Sequence, residues 1–294
     1  MNSTPCNLVS KSKAAAAFTF VELLVVIGTL GLLAMMLLPA LANTGPNTQA
    51  FQCLNNLRQI QHGWLIYSAD NNDRIVPTAG QGALQISLLP NPYTAPGSPE
   101  NQWVYGDMSQ PTAAANVNLI KMGLIFPYAP NVALFKCPAD PRTVFFGGTT
   151  QPLGAVNAPT VRSISMNGYM SPIVDKIETS TAPLNQNYRI FRKQSDLAIM
   201  GAANCWVMLD ENPWSINDGW FCANPSPTAT SWIDKPAVYH NNACGMSFAD
   251  GHCELHKWRD GNLIAYQGPA ETGVPAQAGV GDITWLGQRT SILK

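Results

Sequence analysis

The sequence predicts an α+β protein: a membrane-crossing N-terminal helix, an amphipathic helix, then short strands with long irregular loops around one sheet. Three observations predict it. An apolar run fills 18–42, apolar residues recur at spacings of three and four between 51 and 67, and short strand-like segments follow from 161 onward among Gly, Pro and Asn turns. Helical patterns followed by separate short strands sort to the α+β class.

Residues 1–17 are polar, lack acids and carry Lys11 and Lys13. From Phe18 to Ala42 the run FTFVELLVVIGTLGLLAMMLLPALA holds one charge, Glu22. About 20 apolar residues suffice to cross the hydrocarbon layer, and the run exceeds the apolar stretch of a secretory signal. Basic residues ahead of it place the N-terminus in the cytoplasm. The expectation is a single inner-membrane pass with the C-terminal domain periplasmic or extracellular. A carboxylate at the centre of such a helix costs roughly 2.5–3.5 kcal/mol, and less near an end. Glu22 therefore needs a compensating partner.

Residues 43–70 form the next unit. Asn43-Thr44-Gly45-Pro46-Asn47-Thr48 is a breaker cluster, predicting a helix interrupted near Gly45-Pro46. Phe51, Leu54, Leu57, Ile60, Trp64 and Tyr67 then describe an amphipathic helix. Asp70-Asn71-Asn72-Asp73 reads as the turn that ends it; it lacks the alternating carboxylates of a calcium loop. Residues 71–294 make up an extracytoplasmic domain. A short helix is expected within 116–128, and strands at 161–166, 190–191, 198–200, 206–210, 245–248 and 252–256. The Gly-, Ala- and Pro-rich stretch 268–281 should be irregular. Asp250-Gly251, between MSFA and HCEL, predicts a two-residue type I′ hairpin turn with positive φ at both positions.

Charged residues make up only 12% of the 294 residues and the net charge is -1. A nucleic-acid partner would call for a basic stripe, so that class is excluded. Of seven cysteines, six remain if Cys6 leaves with a removed leader. An even count in an exported domain is compatible with disulfides, and unpaired buried thiols are the alternative. No CxxC pair occurs, which disfavours a zinc finger. His252, Glu254 and His256 alternate, so a strand would put them on one face. With His240 they are weak metal candidates. No GxSxG, HExxH, P-loop or Rossmann fingerprint is present, and neither an enzymatic activity nor a cofactor is expected.

Ala17-Phe18-Thr19-Phe20-Val21-Glu22-Leu23 resembles the processing site of type IV pilins and type II secretion pseudopilins. The resemblance implies cleavage by a prepilin peptidase between Ala17 and Phe18 and N-methylation of Phe18. It makes 1–17 a leader and Glu22 the acid that meets a neighbouring subunit's terminal amine. Ala17 departs from the family's usual Gly before the cut. Pro39 stands where pilin helices commonly carry a proline, and the family fold packs the second helical segment on an antiparallel sheet. His240 and Asp250-Gly251, nine residues further on, resemble the H-X9-DG element of many prepilin-type proteins, here spanning 240–251. Echoes at Cys53 and Cys137 of the family's Gln-Cys and Cys-Pro positions imply a disulfide between them.

The expected function is thus a pilin-like structural subunit of a pseudopilus or type IV pilus-like filament, in the manner of type II secretion. Its partners would be the prepilin peptidase, other pilin-like subunits and membrane lipid. Two alternatives stand beside it. One is an anchored binding module presenting Trp103, Trp214, Trp220 and Trp232 to a glycan. The other is a metal-dependent enzyme using His240, Asp250 and His252.

Overall fold

The computed structural model describes residues 19–42, 44–78, 102–108, 111–142, 159–173, 187–267 and 273–294; side chains at 34, 36–47, 111 and 112 are not described. Ala17, Phe18 and the remainder of the expected leader lie outside these residues. The chain divides into two compact units, Met1–Gly45 and Pro46–Lys294.

In the first unit, helix α1 runs Phe20–Ala42, continuous through Pro39. Thr19 caps it. Its backbone N–H and hydroxyl both donate to Glu22 Oε2 at 2.8 Å, and the Glu22 N–H donates to Thr19 Oγ1 at 3.3 Å. This is a capping box of the T-x-x-E kind.

Among the described residues no helix is long and apolar enough to cross a membrane. The expected membrane-crossing helix, and with it the single-pass inner-membrane placement, is corrected accordingly. Helix α1 carries Glu22 and Thr29 among its apolar residues.

Helix α2 runs Thr44–Asp70, and all of it from Pro46 on belongs to the second unit. The helical run is divided near the expected position: α1 ends at Ala42 and α2 begins at Thr44, with Gly45 and Pro46 in the first turn of α2. A first-turn proline forfeits no intrahelical hydrogen bond. Asn72 and Asp73 have φ of 55° and 66°, so the predicted turn closes the helix in the left-handed region.

Short elements follow: α3 (Pro111–Ala114), α4 (Val117–Lys121) and 3₁₀ turns at Phe126–Tyr128 and Val132–Phe135. Next come β1 (Ile164–Asn167), β2 (Trp206–Asp210), β3 (Trp220–Phe221), β4 (Ser231–Trp232), β5 (Ala243–Phe248) and β6 (Cys253–Lys257). Helix α5 (Gly261–Ile264), β7 (Val274–Pro275) and α6 (Asp282–Thr290) complete the chain. Residues 198–199, expected in a strand, belong instead to a 3₁₀ turn, Gln194–Ile199, that Asp196 closes through the Lys193 N–H.

The sheet order is β3-β1-β2-β5-β6, with β4 and β7 paired separately. It is mixed rather than antiparallel throughout. β1 is antiparallel to β2, but β3 lies parallel to β1, pairing Met166 with Trp220 and Asn167 with Phe221. β1, β2 and β5 are buried at every position, which explains why Trp206-Val207-Met208-Leu209 reads as a continuous apolar run instead of an alternation. One apolar cluster joins Leu57, Ile60 and Trp64 of α2 to Ile164, Met166 and Met208. The other joins Trp206, Leu209 and Met246 to Trp258 and Leu286.

The β5–β6 turn also differs from the expected one. Phe248 N–H donates to the His252 carbonyl, Gly251 N–H returns to the Phe248 carbonyl, and only Gly251 of the pair has positive φ, at 98°. The loop therefore holds three residues, Ala249 to Gly251, in the type I plus left-handed-residue form. Asp250 Oδ1 caps the His252 N–H at 3.1 Å, and this needs an Asp with ordinary backbone.

Candidate functional site

Four side chains from distant parts of the chain converge beneath α2. Cys53, Cys137, Asp210 and His240 each bring one donor atom, and these atoms all lie within 4.8 Å of one another. All four residues are buried.

Each is positioned by its own element. Cys53 lies on the buried stripe of α2, one helical turn before Leu57. Its thiol donates to Asp210 Oδ2 at 2.8 Å. That approach depends on Gly245 of β5: a Cβ there would meet Cys53 Sγ at 3.0 Å and Asp210 Oδ2 at 3.2 Å. Asp210 ends β2, and Ser163 Oγ donates to its Oδ1 at 3.2 Å.

Cys137 sits in a loop clamped from several directions. Its N–H donates to Ser163 Oγ at 2.7 Å, and Lys136 Nζ donates to the Arg142 carbonyl. Arg142 and Asp140 form a fully buried ion pair at 2.9 Å. The Ala139 N–H points at Cys137 Sγ from 3.4 Å. His240 enters β5 through a tight turn in which Asn241 and Asn242 both take the left-handed region, as asparagine tolerates. Its Nε2 lies 3.2 Å from Cys137 Sγ.

The electrostatics follow from burial. Desolvation pushes the Asp210 carboxyl up to about 6 and holds His240 below its ordinary value, toward the neutral ring. The Cys53 thiol is raised by its hydrogen bond with Cys137, by desolvation and by the nearby Asp210 charge. For Cys137 that same hydrogen bond acts downward, but desolvation and Asp210 outweigh it. Two thiols, one imidazole and one carboxylate are donors of the kind found in tetrahedral zinc sites. Two apposed thiols can alternatively oxidise to a disulfide.

The structure thus brings together Cys53, Cys137 and His240, three residues singled out from sequence, and adds Asp210. Both thiols are free. Asp210 carries no spacing signal, since it merely ends an apolar strand. His252 and His256 are not part of the cluster. His252 is exposed, paired with Asp250 at 2.6 Å and stacked on Phe248, while His256 stacks on Trp285. Asp250 and Gly251 build the hairpin turn. Of the four tryptophans expected to present a binding face, Trp103 and Trp232 are core residues and Trp214 and Trp220 are half-buried. The capping role of Glu22 was readable in Thr19-x-x-Glu22 itself, a second reason for that acid beside the one the resemblance implies. No family model, curated protein or solved structure matches the chain.

Proposed function

We propose that the protein is a prepilin-type structural subunit that assembles through α1 after a prepilin peptidase removes 1–17. The observation that carries this reading is the first unit's surface. Phe20, Val21, Leu23, Leu24, Val25, Val26 and Ile27 are all exposed, and consecutive residues point around every side of a helix. A helix apolar all round must be covered, and the α1 helices of like subunits are cover of matching shape and chemistry. Cleavage before Phe18 frees an ammonium group close in sequence to Glu22, so a neighbour's Glu22 gains an opposite charge only when subunits stack in register.

The test is co-expression with a prepilin peptidase, followed by mass spectrometry of the mature N-terminus and sedimentation. A start at N-methylated Phe18 and large assemblies are expected. Glu22→Ala should still be cleaved but should fail to assemble. A mature chain that begins elsewhere or keeps its leader overturns the reading, as does a Glu22→Ala protein that assembles like the parent.

A further inference from the structure

We propose that Cys53, Cys137, Asp210 and His240 form a closed four-ligand site for a structural divalent cation of the zinc class, which locks α2 and the 137–142 loop to the central sheet. This goes beyond the assembly of α1 and does not depend on it.

The donor set and its spacing argue for a metal. Zinc bonds of about 2.0–2.3 Å to nitrogen, oxygen and sulfur place tetrahedral ligands roughly 3.3–3.8 Å apart. Here Cys53–Asp210 and Cys137–His240 stand at 2.8 and 3.2 Å and the whole set falls within 4.8 Å. A cation at the centre therefore requires shifts of about 1 Å or less.

The buried carboxylate argues for it independently. Asp210 is completely buried, and among the described residues it forms no ion pair; its carboxylate accepts from the Cys53 thiol, the Ser163 hydroxyl and the Gly245 N–H. A buried carboxylate without a cation is costly. A disulfide between Cys53 and Cys137 would leave the carboxylate without a cation, whereas a dication ligates it directly. Because both thiols ionise on binding, the net charge of the site is unchanged, and the gain is that direct ligation. On binding, each thiol loses its proton to solvent and its sulfur takes the metal, while neutral His240 ligates through Nε2, the nitrogen already facing Cys137. The outer shell is present as well. Ser163 orients Asp210, and the Ala139 N–H donates to Cys137 Sγ, a bond that favours thiolate. With all four positions filled from the protein, no site is left for substrate, which marks a structural centre.

The experiment uses the full-length chain purified under reducing conditions. Elemental analysis should find about one zinc per chain, and exchange with Co²⁺ should give the intense visible bands and thiolate charge-transfer absorption of a tetrahedral sulfur-ligated ion. Cys53→Ser and His240→Ala should each lose the ion or bind it at least about tenfold more weakly. Cys253→Ser, outside the cluster, should retain it. Because loss of a ligand can also unfold the chain, the Co²⁺ spectrum of the unmutated chain is the decisive reading. A chain that takes up no Zn²⁺ or Co²⁺, an octahedral spectrum without thiolate bands, or a Cys53–Cys137 cross-linked peptide in the non-reduced digest overturns the proposal.

Discussion

His256 stacks on Trp285 with 3.6 Å between ring centroids and meets Trp258 edge-on at 4.4 Å. Its Nε2 is buried with no hydrogen-bond partner among the described residues. Desolvation, partly offset by the Asp282 charge, pulls its pKa to about 4. Unfolded, the same ring titrates near 6.5. Between those values the unfolded chain binds more protons than the folded one, so stability falls as pH drops through that window. The contribution is fully present above about pH 6.5 and is on the order of 2 kcal/mol after discounting for partial exposure. Urea midpoints should therefore fall less for His256→Gln than for the parent between about pH 7 and about pH 4.5. Equal falls would remove the desolvated ring as the cause. An alternating His-x-Glu-x-His pattern shows that its members can share a strand face. It does not show that two tryptophans approach one of them.

Helix α2 illustrates the same division at the scale of an element. Apolar spacing located the helix, but its buried stripe is Ala50, Cys53, Leu57, Ile60, Gln61, Gly63, Trp64 and Ser68, whereas Phe51 is 66% exposed. Periodicity counts only apolar residues, so it misses a polar residue that finds its hydrogen bonds inside. Gln61 does so twice: Nε2 donates to the Phe248 carbonyl at 2.8 Å, and Oε1 accepts from Ser247 Oγ at 2.8 Å. Ser247 Oγ in turn accepts from the Met208 N–H at 3.1 Å, tying the helix to β5 and β2. Gln61→Met should cost about 1–3 kcal/mol in chemical denaturation, because it strands two buried partners. Phe51→Ser should change stability by no more than about 0.5 kcal/mol. If the two substitutions behaved alike, the helix would not dock through Gln61.

At the scale of the whole molecule, the chain divides into Met1–Gly45 and Pro46–Lys294; in the assembly proposed above, folding and association would belong to different parts. Both apolar clusters and the five-stranded sheet lie in the second unit. A chain beginning at Pro46 should unfold in one cooperative transition and sediment as a monomer at concentrations where the full chain assembles. Assembly of that fragment would place the association surface outside α1. From its amino acids alone, the chain determined the two helices, four of the sheet strands and the place of the 248–252 hairpin, though not its turn type. Each of these depends on neighbours a few positions away, through periodicity, capping or turn preference. Only the tertiary structure decided the parallel pairing of β3 with β1, the burial of Trp103 and Trp232, and the meeting of Cys53, Cys137, Asp210 and His240. Residues spread from position 53 to position 240 share no local pattern; they come together because a helix, a clamped loop and two strands pack on one another, with a glycine leaving room at the centre.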